Sequence, residues 1–219
     1  MKIKALIAVR SGSERVLNKN LRPFAGSNLL ELKIKQLKTI KEFDGIVVNS
    51  NDDRMLEIAD NLGVETVKRE PLYATSSVSM SDVYKNMAEN FNGDIVVYAN
   101  VTNPLVNTDS YVNGIKTFKE IRNKFDSLNS AHLIKEFMFL DNKPINYDLE
   151  RQPRSQDLPN IYALNFAFSI LSKEDMIKYK NVVGRTPYMY ELTEAEAVDI
   201  DTEFDFEIAE FLYKKKYKL

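Results

Sequence analysis

Cysteine is absent from the sequence, and its absence excludes three kinds of site. Without thiols the chain has no disulfide framework, no thiolate metal centre and no cysteine nucleophile. Histidine occurs only once, as His132 in a predicted strand, where a structural role is more common than a role as a base. Neither this histidine nor any one carboxylate is marked by the sequence as a general base.

Glycine and proline are scarce, with 7 of each in 219 residues, which argues against long disordered stretches. The first apolar run is too short for a membrane span or the core of a signal peptide, and it has the pattern of a strand. A net charge of -2 leaves no electrostatic footprint for nucleic acid or an anionic membrane. We therefore expect a cytoplasmic protein that acts on small molecules, with no nucleic-acid or membrane partner.

The order of apolar patterns predicts an α/β fold in a single domain, residues 1–219, with an inserted arm at residues 135–160. Strand and helix patterns alternate through the first half of the chain, and their spacing implies right-handed crossovers and a mostly parallel sheet. The most strand-like run, Asp94–Ala99, is expected at the centre of that sheet. A further strand is predicted at Ala197–Ile200.

The last helix is predicted from Glu203 to about Lys216, with Asp201 and Thr202 at its start. Its large apolar residues recur at helical spacing and are expected to face the core. They are Phe204, Ile208, Phe211 and Leu212.

A loop rich in cations follows the first predicted strand. Gly12 allows a phosphate to approach the backbone closely, and Ser11 and Ser13 beside it offer hydroxyl and amide groups. The cations able to balance polyphosphate charge are Arg10, Arg15 and Lys19. The loop contains neither G-x-x-x-x-G-K-[ST] nor G-x-G-x-x-G, so spacing alone leaves open an ordinary strand-to-helix connection with solvated cations.

Two aspartates near the end of the chain, Asp199 and Asp201, are the strongest candidates for metal ligands. Alternation along a strand would place both carboxylates on one face, with Ile200 in the core. One or two carboxylates that leave room for phosphate oxygens and water are a common way to hold Mg²⁺. The other interpretation of Asp201 is a cap for the last helix.

Short motifs spread over most of the chain resemble those of the acylneuraminate cytidylyltransferases, the CMP-sialic acid synthetase family. The motifs are R-S-G-S and K-N in the first loop, K-R-E-P, T-N-P-L, R-S-Q-D-L-P and D-I-D-T. The resemblance implies a Rossmann-like nucleotidyltransferase fold, with helices flanking the mostly parallel sheet. It also implies a reaction, usually with Mg²⁺, that transfers CMP from CTP to a sugar acid and releases pyrophosphate.

The resemblance also assigns residues to the nucleotide and the metal. In the family the first loop wraps cytosine and triphosphate, and the matching positions are Ala8, Arg10, Ser13 and Asn20, with Lys19 beside them. Arg69 matches an arginine that helps to bind the base, and Ser81 matches a hydroxyl near the nucleotide. Read without the resemblance, Arg69 is a solvated arginine and Ser81 is a helix N-cap. The match V-D-I-D-T-E supports Asp199 and Asp201 as metal ligands, which act with Arg10 and Lys19 in catalysis.

The acceptor side is where the sequence departs from the family. The usual Q-P-T-S-P-L-R is N-V-T-N-P-L-V here, which places Asn100, Thr102 and Asn103 at the acceptor and replaces an arginine by Val106. A second acceptor segment is implied by the likeness of ERQPRSQDLP and the strand after it. Its residues are Arg151, Arg154, Gln156, Tyr162, Asn165 and Phe166. Arginine forks suit carboxylate and phosphate equally, and an exposed loop with solvated cations is the alternative.

The predicted arm contains Phe137, Met138 and Phe139, which need cover from some other surface. In the family such an arm reaches across a dimer interface, so the resemblance implies a homodimer in which Lys135 joins the acceptor site of the partner subunit. A local hydrophobic cluster is the alternative.

The predicted function is transfer of CMP to an acidic sugar, a sialic acid-like nonulosonate or related 2-keto sugar acid, for surface-glycan precursors. Asn100, Asn103 and Val106 leave open a different acceptor, including a phosphorylated one. A nucleotide-sugar glycosyltransferase also uses an Asp-x-Asp pair, but typically after a central strand in mid-chain. Glu14, which stands where the family has lysine, leaves open a relative that binds nucleotide without turnover.

Overall fold

The computed structural model describes residues 1–13 and 15–219, and within them the elements alternate as the sequence predicts. The strands are β1 (Ile3–Ala8), β2 (Gly45–Ser50), β3 (Glu65–Lys68), β4 (Ile95–Ala99), β5 (Ser127–Ile134), β6 (Phe139–Leu140), β7 (Lys143–Pro144), β8 (Ile161–Ser172) and β9 (Pro187–Glu191). The helices are α1 (Leu29–Lys38), α2 (Asp53–Asn61), α3 (Met80–Glu89), α4 (Thr108–Ile121), α5 (Lys173–Tyr179) and α6 (Glu203–Tyr217).

Seven strands form one sheet in the order β3-β2-β1-β4-β8-β5-β9. Four of the pairings are parallel, and only β8 runs antiparallel to its neighbours, β4 and β5. The strand β4 is fully buried and lies at the centre, which confirms the expectation for Asp94–Ala99. The carboxyl ends of the parallel strands therefore meet at one edge, where open α/β sheets bind their ligands.

Helices cover both faces of this sheet. Residues of α1, α2, α4 and α6 pack in one apolar cluster, and residues of α3 and α5 pack in the other. In α1 the buried face is Leu30, Ile34 and Leu37, and Asn28 caps the first turn by accepting from the Glu31 N–H at 2.9 Å. Burial of each such side chain contributes roughly 1.5–3 kcal/mol to folding.

The predicted strand at Ala197–Ile200 is wrong, because the segment bonds to a loop instead of a strand. The Ile200 N–H donates to the Thr102 carbonyl at 3.0 Å, and the Asn103 side chain donates to the Val198 carbonyl at 3.2 Å. The chain before it turns around Glu196, whose buried carboxylate accepts hydrogen bonds from nearby backbone and hydroxyl groups. The aspartates therefore lie in irregular backbone, and strand alternation does not explain their placement.

The predicted buried face of α6 is also wrong. Phe204 is 69% exposed and Phe211 is 66% exposed, and Ile208 is exposed as well. The buried residues are Phe206 and Ala209, because the Phe206 ring packs edge-on against Phe24 with centroids 5.4 Å apart. Thr202 and Asp205 form a capping box that fixes where the helix begins, and this docking fixes which face turns inward.

The arm forms a small separate hairpin of β6 and β7. Within it the Tyr147 ring packs against Phe137, with centroids 4.8 Å apart, and so covers Phe137 locally. Phe139, by contrast, is 53% exposed. Within the described residues, no helix combines the length and apolar character needed to cross a membrane.

Candidate active site

The first loop leaves the carboxyl end of β1 and is fixed by amide side chains. Asn51, just beyond β2, accepts from the Ser11 backbone N–H at 3.2 Å and donates to the Ser11 hydroxyl at 2.9 Å. Asn20 is buried and donates to the Arg10 carbonyl at 3.2 Å. Gly12 has a φ of +81°, which L side chains rarely adopt. Hydrogen bonds to Asn51 and Asn20 thus fix the course of the loop.

The next two residues of the loop are Ser13 and Glu14. Ser13 is partly buried, and its contact with the phosphates stays a prediction. Glu14, which stands where the resembling family has lysine, lies outside the described residues.

A cavity of about 350 Å³ adjoins the loop, and Ala8, Arg10 and Arg69 form part of its wall. Arg69 is 4% exposed and donates from Nε to Asn49 Oδ1 at 2.6 Å and from Nη2 to Asn49 O at 3.1 Å. Burial lowers the pKa of Arg69, and the charge of Arg10 lowers it further. Arg69 is therefore a fixed donor beside a second cation, not a solvated arginine.

Ser81 lies exposed in the first turn of α3. The N-cap of this helix is Ser79, whose hydroxyl oxygen accepts from the Asp82 N–H at 3.2 Å. The interpretation of Ser81 as the cap is wrong, and its contact with a nucleotide stays a prediction.

The far end of the first loop meets the two aspartates. Arg15 Nη2 lies 2.8 Å from Asp201 Oδ1, and Lys19 Nζ lies 3.8 Å from the same oxygen. The Lys19 ammonium also donates to the Ile200 carbonyl. Burial lowers the pKa of Lys19, while Asp201 and Asp199 oppose this shift. The helix N-cap is Thr202, so the Asp201 side chain faces the loop's cations and does not cap α6.

Asp199 fits a divalent cation better than it fits its protein surroundings. Its Oδ1 atom is buried and has no hydrogen-bond partner among the described residues. Burial raises the pKa of Asp199, and the neighbouring Asp201 raises it further, while the Thr102 hydroxyl and Lys19 act in the opposite direction. Within the part of the chain that the structure describes, no group of three acidic or histidine residues could hold a metal. The protein would thus supply two carboxylates, and phosphate and water the remaining ligands, as Mg²⁺ prefers.

Asn100, Asn165 and Phe166 come together where β4 and β8 pair. The Asn100 side chain donates to the Phe166 carbonyl at 2.9 Å. Phe166 has a φ of +53° inside a strand, beside a register shift between β5 and β8, and its side chain is exposed. Asn165 Oδ1 accepts from the Ser130 hydroxyl at 2.6 Å and the Ala167 N–H at 3.1 Å, but its Nδ2 is buried without a partner. A strained backbone here presents one aromatic ring and one unused donor.

Four other residues assigned to the acceptor are Arg151, Arg154 and Gln156 of the arm and Tyr162 of β8. Arg151, Arg154 and Gln156 are exposed, and Arg154 Nε pairs with Asp157 at 2.8 Å. The Tyr162 hydroxyl lies 3.3 Å from Glu191 at the sheet edge. No hydrogen bond among the described residues joins these four side chains to Asn100, Asn165 or Asp199.

Two acceptor-side positions are less accessible than the sequence predicts. Asn103 and Val106 are fully buried, and the Val106 carbonyl accepts from Gln36 Nε2 at 2.6 Å. Thr102 is partly buried beside Asp199. Val106 is therefore part of the apolar core beneath the loop.

Sequence reasoning missed the residues that support the first loop and the cavity beside it, Asn49 and Asn51. The available signal was the polar run N-S-N-D-D directly after a buried strand, at the edge where ligands bind. A wider open cavity of about 840 Å³ was also missed; its wall includes His132, Lys135 and Val198. It reaches the segment that carries the aspartates, and His132 Nδ1 is buried there without a partner.

Similarity to known proteins identifies the family and the fold of the chain. The sequence profile of the cytidylyltransferase family matches residues 4–217. The chain is 26% identical to the post-translational flagellin modification protein B of Campylobacter coli, over 98% of this chain and 96% of that protein. It is 25% identical to the pseudaminic acid cytidylyltransferase of Campylobacter jejuni subsp. jejuni serotype O:2, over 100% and 99% of the two chains.

The solved structure of a CMP:2-keto-3-deoxy-manno-octonic acid synthetase complexed with CTP superposes with a TM-score of 0.74. The superposition covers 99% of this chain and 100% of that one at 12% identity, so it shows a shared fold, the Rossmann-like nucleotidyltransferase fold. The family profile covers almost the whole sequence. The chain therefore belongs to the cytidylyltransferase family and is a nucleotidyltransferase.

Proposed function

We propose that the protein transfers CMP from CTP to an acidic sugar, a nonulosonate or related 2-keto sugar acid, and releases pyrophosphate. The observation that carries the proposal is the contact of Arg15 and Lys19 with the Asp199–Asp201 segment. The contact supports the proposal, because transfer at an α-phosphate would need cations and carboxylates close to one another. The names of the relatives, which concern pseudaminic acid and flagellin modification, support this class of acceptor and a role in surface-glycan precursors.

The nucleotide would bind across the first half of the sheet edge. The cytosine would occupy the cavity beside Arg69, where a fixed guanidinium can donate to a carbonyl oxygen of the base. The triphosphate would follow the first loop, bound by its amides and by Arg10 and Lys19. Ser81 would act from the start of α3.

In the reaction, a hydroxyl oxygen of the acceptor attacks the α-phosphorus of CTP. A new bond forms between that oxygen and phosphorus, the bond to the bridging oxygen breaks, and pyrophosphate leaves with the electron pair. The proton of the attacking hydroxyl is released to water. Asp199 and Asp201 would hold Mg²⁺, which when bound neutralises charge on the phosphate oxygens. Lys19 would balance charge on the nucleotide from the other side. Its hydrogen bond to the Ile200 carbonyl holds the ammonium in place.

The acceptor would bind beside Asn100, Phe166 and Asn165. The unused Asn165 Nδ2 is a buried donor that suits a carboxylate or hydroxyl oxygen. We further propose a homodimer, because the arm leaves large apolar side chains exposed, and a cytoplasmic location, where CTP is available. The exposed side chains are Phe139, Leu140, Ile145 and Leu149. In a dimer the arm would bring Lys135, Arg151, Arg154 and Gln156 to an acceptor, beside Tyr162 of β8.

Incubation with CTP, Mg²⁺ and a panel of nonulosonic and 2-keto sugar acids, with and without phosphate groups, tests the proposal by pyrophosphate release. We expect release with at least one acid, and none when CTP is replaced by ATP. The matched variants are Asp199→Asn, expected to be inactive, and Asp109→Asn at the exposed start of α4, expected to be active. Absence of both CTP binding and pyrophosphate release would refute the proposal, and tight CTP binding without product would indicate a relative without turnover.

A further inference from the structure

Lys33 lies on the buried face of α1, where its side chain is 2% exposed. Its ammonium donates to the Asn103 carbonyl at 3.0 Å, the Tyr111 hydroxyl at 3.0 Å and Gln36 Oε1 at 3.2 Å. None of these acceptors is a carboxylate, whereas the other buried lysine, Lys4, pairs with Glu65 at 2.5 Å. A buried ammonium without a counter-ion is expensive, so its retention calls for a reason other than stability.

The three acceptors match the three N–H donors of an ammonium group. One of these acceptors, the Asn103 carbonyl, belongs to irregular backbone between β4 and α4. A buried carbonyl outside a helix or sheet needs another donor, and Lys33 supplies it from a different element. An apolar residue at this position would leave that carbonyl unpaired.

The same loop is joined directly to the aspartate segment. The Asn103 side chain donates to the Val198 carbonyl at 3.2 Å, and the Thr102 carbonyl accepts from the Ile200 N–H at 3.0 Å. The two bonds lie on either side of Asp199. Two hydrogen bonds and one loop residue, Asn103, therefore join Lys33 to Val198, the residue before Asp199.

We propose that Lys33 is a positioning residue, which holds the Asn103 carbonyl and thereby fixes the Val198–Asp201 segment opposite the first loop. Its effect on turnover rests on the proposed function, but its effect on the segment does not. Lys33 is buried and lies outside the proposed nucleotide and acceptor sites. It acts through the 102–103 loop alone.

The test compares Lys33→Met, which keeps the length of the side chain and removes its donors, with Lys35→Met. Lys35 is the matched control, because it lies on the exposed side of α1 and pairs with Glu31. Hydrogen exchange of the protein without ligands is read at the Ile200 amide. We expect exchange about tenfold faster in Lys33→Met, since a buried acceptor has lost its donor, and unchanged exchange in Lys35→Met.

A second variant, Asn103→Leu, removes the bond to Val198 while Lys33 keeps its carbonyl acceptor, and it should speed exchange at the same amide. The second readout is the affinity for CTP, measured with and without Mg²⁺. Without Mg²⁺, Lys33→Met should bind CTP with the same affinity as the wild type. The factor by which Mg²⁺ raises the affinity for CTP should be about tenfold smaller in Lys33→Met than in the wild type.

Protection of Ile200 that is unchanged in both variants would overturn the inference, as would equal loss of protection across the sheet, which indicates a purely structural role. If Lys33→Met does not fold, Asn103→Leu decides, and slow exchange at Ile200 in that variant counts against the inference. A wild-type protein that does not bind CTP would refute the proposed function, while the exchange data would still decide the role of Lys33.

Discussion

The two halves of the sheet edge differ in how their buried polar side chains are satisfied. The nucleotide half is formed by the first loop and residues 49–51 and 69–80. Its polar side chains form hydrogen bonds with one another or with the backbone: Arg69 with Asn49, Asn20 with Arg10, and Asn51 with Ser11. The acceptor half comprises residues 98–106, 129–136, 161–168 and 191–201. The unpartnered buried side-chain atoms found among the described residues all lie there: Asn103 Oδ1, His132 Nδ1, Asn165 Nδ2 and Asp199 Oδ1.

This difference indicates that the nucleotide half is formed before any ligand binds, whereas the acceptor half needs further partners. A buried polar atom without a hydrogen bond is costly. Binding of a cation at Asp199 Oδ1 and of an acceptor at Asn165 Nδ2 should therefore bring the largest gain in stability. Substitutions should therefore act differently in the two halves. In the nucleotide half they should lower affinity and stability together, and in the acceptor half they should lower turnover while stability holds or rises.

Asp199→Asn should give the largest effect and the clearest contrast. Loss of one carboxylate from the cation site should reduce pyrophosphate release by about a thousandfold. Burial raises the pKa of Asp199, so the folded state binds the proton more tightly than the unfolded chain, and the charged form is unfavourable above the folded pKa. The neutral amide should therefore raise the melting temperature by about 2–4 °C at pH 8, with a smaller gain near pH 4.

Thermal unfolding at the two pH values and pyrophosphate release measure both parts of this prediction. Asp109→Asn is the control for loss of a carboxylate. An Asp199→Asn protein that is less stable than wild type at pH 8 would contradict the contrast between the halves.

Arg69→Met should give the next largest effect, in the nucleotide half. It removes the donors to Asn49 and the fixed cation of the cavity, so CTP affinity should fall by about 30-fold to 100-fold, with a lower melting temperature. Arg54→Met is the control, because Arg54 is exposed on α2 and its ion pair among the described residues is with Asp52. Calorimetric titration with CTP measures the affinities, and equal affinities for the two variants would exclude Arg69 from the base site.

The two halves also differ in how far the sequence predicts them. The first loop of the nucleotide half is contiguous and follows one strand, so its residues are read directly from the motif after β1. Asn49 and Asn51, which support this half, lie at and just beyond the end of a different strand, β2, and were missed. The start of the last helix at Thr202 is predicted as well, because a cap depends on residues within one helical turn.

The acceptor half depends on contacts between residues distant in sequence. Val198 and Ile200 are held by the loop at Asn103 and Thr102, which local alternation cannot reveal, and strand periodicity therefore gave the wrong backbone. The face of α6 is likewise fixed by Phe24, far away in the chain. Lys33 could have been suspected, because a lysine interrupts an otherwise apolar helical face, but its acceptors come from other elements.

Asn165→Asp should give a smaller effect, confined to the acceptor. The aspartate keeps an oxygen that can accept from Ser130 and Ala167, and it replaces the unused Nδ2 donor by a second, charged carboxylate oxygen. We expect the KM for the acceptor acid to rise about tenfold, since a carboxylate now faces an acid, with CTP affinity unchanged. Asn160→Asp, at an exposed position before β8, is the control. A change in CTP affinity equal to the change in KM would show that the halves are not separate.

The smallest effect concerns the pH dependence of stability that Lys33 gives the acceptor half. Burial lowers the pKa of Lys33 to about 7, and the charge of Lys216 on α6 adds to this; Tyr111 and Gln36 are its uncharged neighbours. Because the unfolded chain keeps its proton to a higher pH, it binds more protons than the folded protein between pH 7 and the usual lysine pKa. The free energy of unfolding should therefore rise with pH in this range, by about 1 kcal/mol from pH 7 to pH 8.

Urea unfolding of wild type and Lys33→Met at the two pH values measures this rise in the free energy of unfolding, which should vanish in Lys33→Met and persist in Lys35→Met. An equal rise in all three proteins would mean that another group titrates, and that the ammonium beneath the acceptor half is held without the penalty its burial implies.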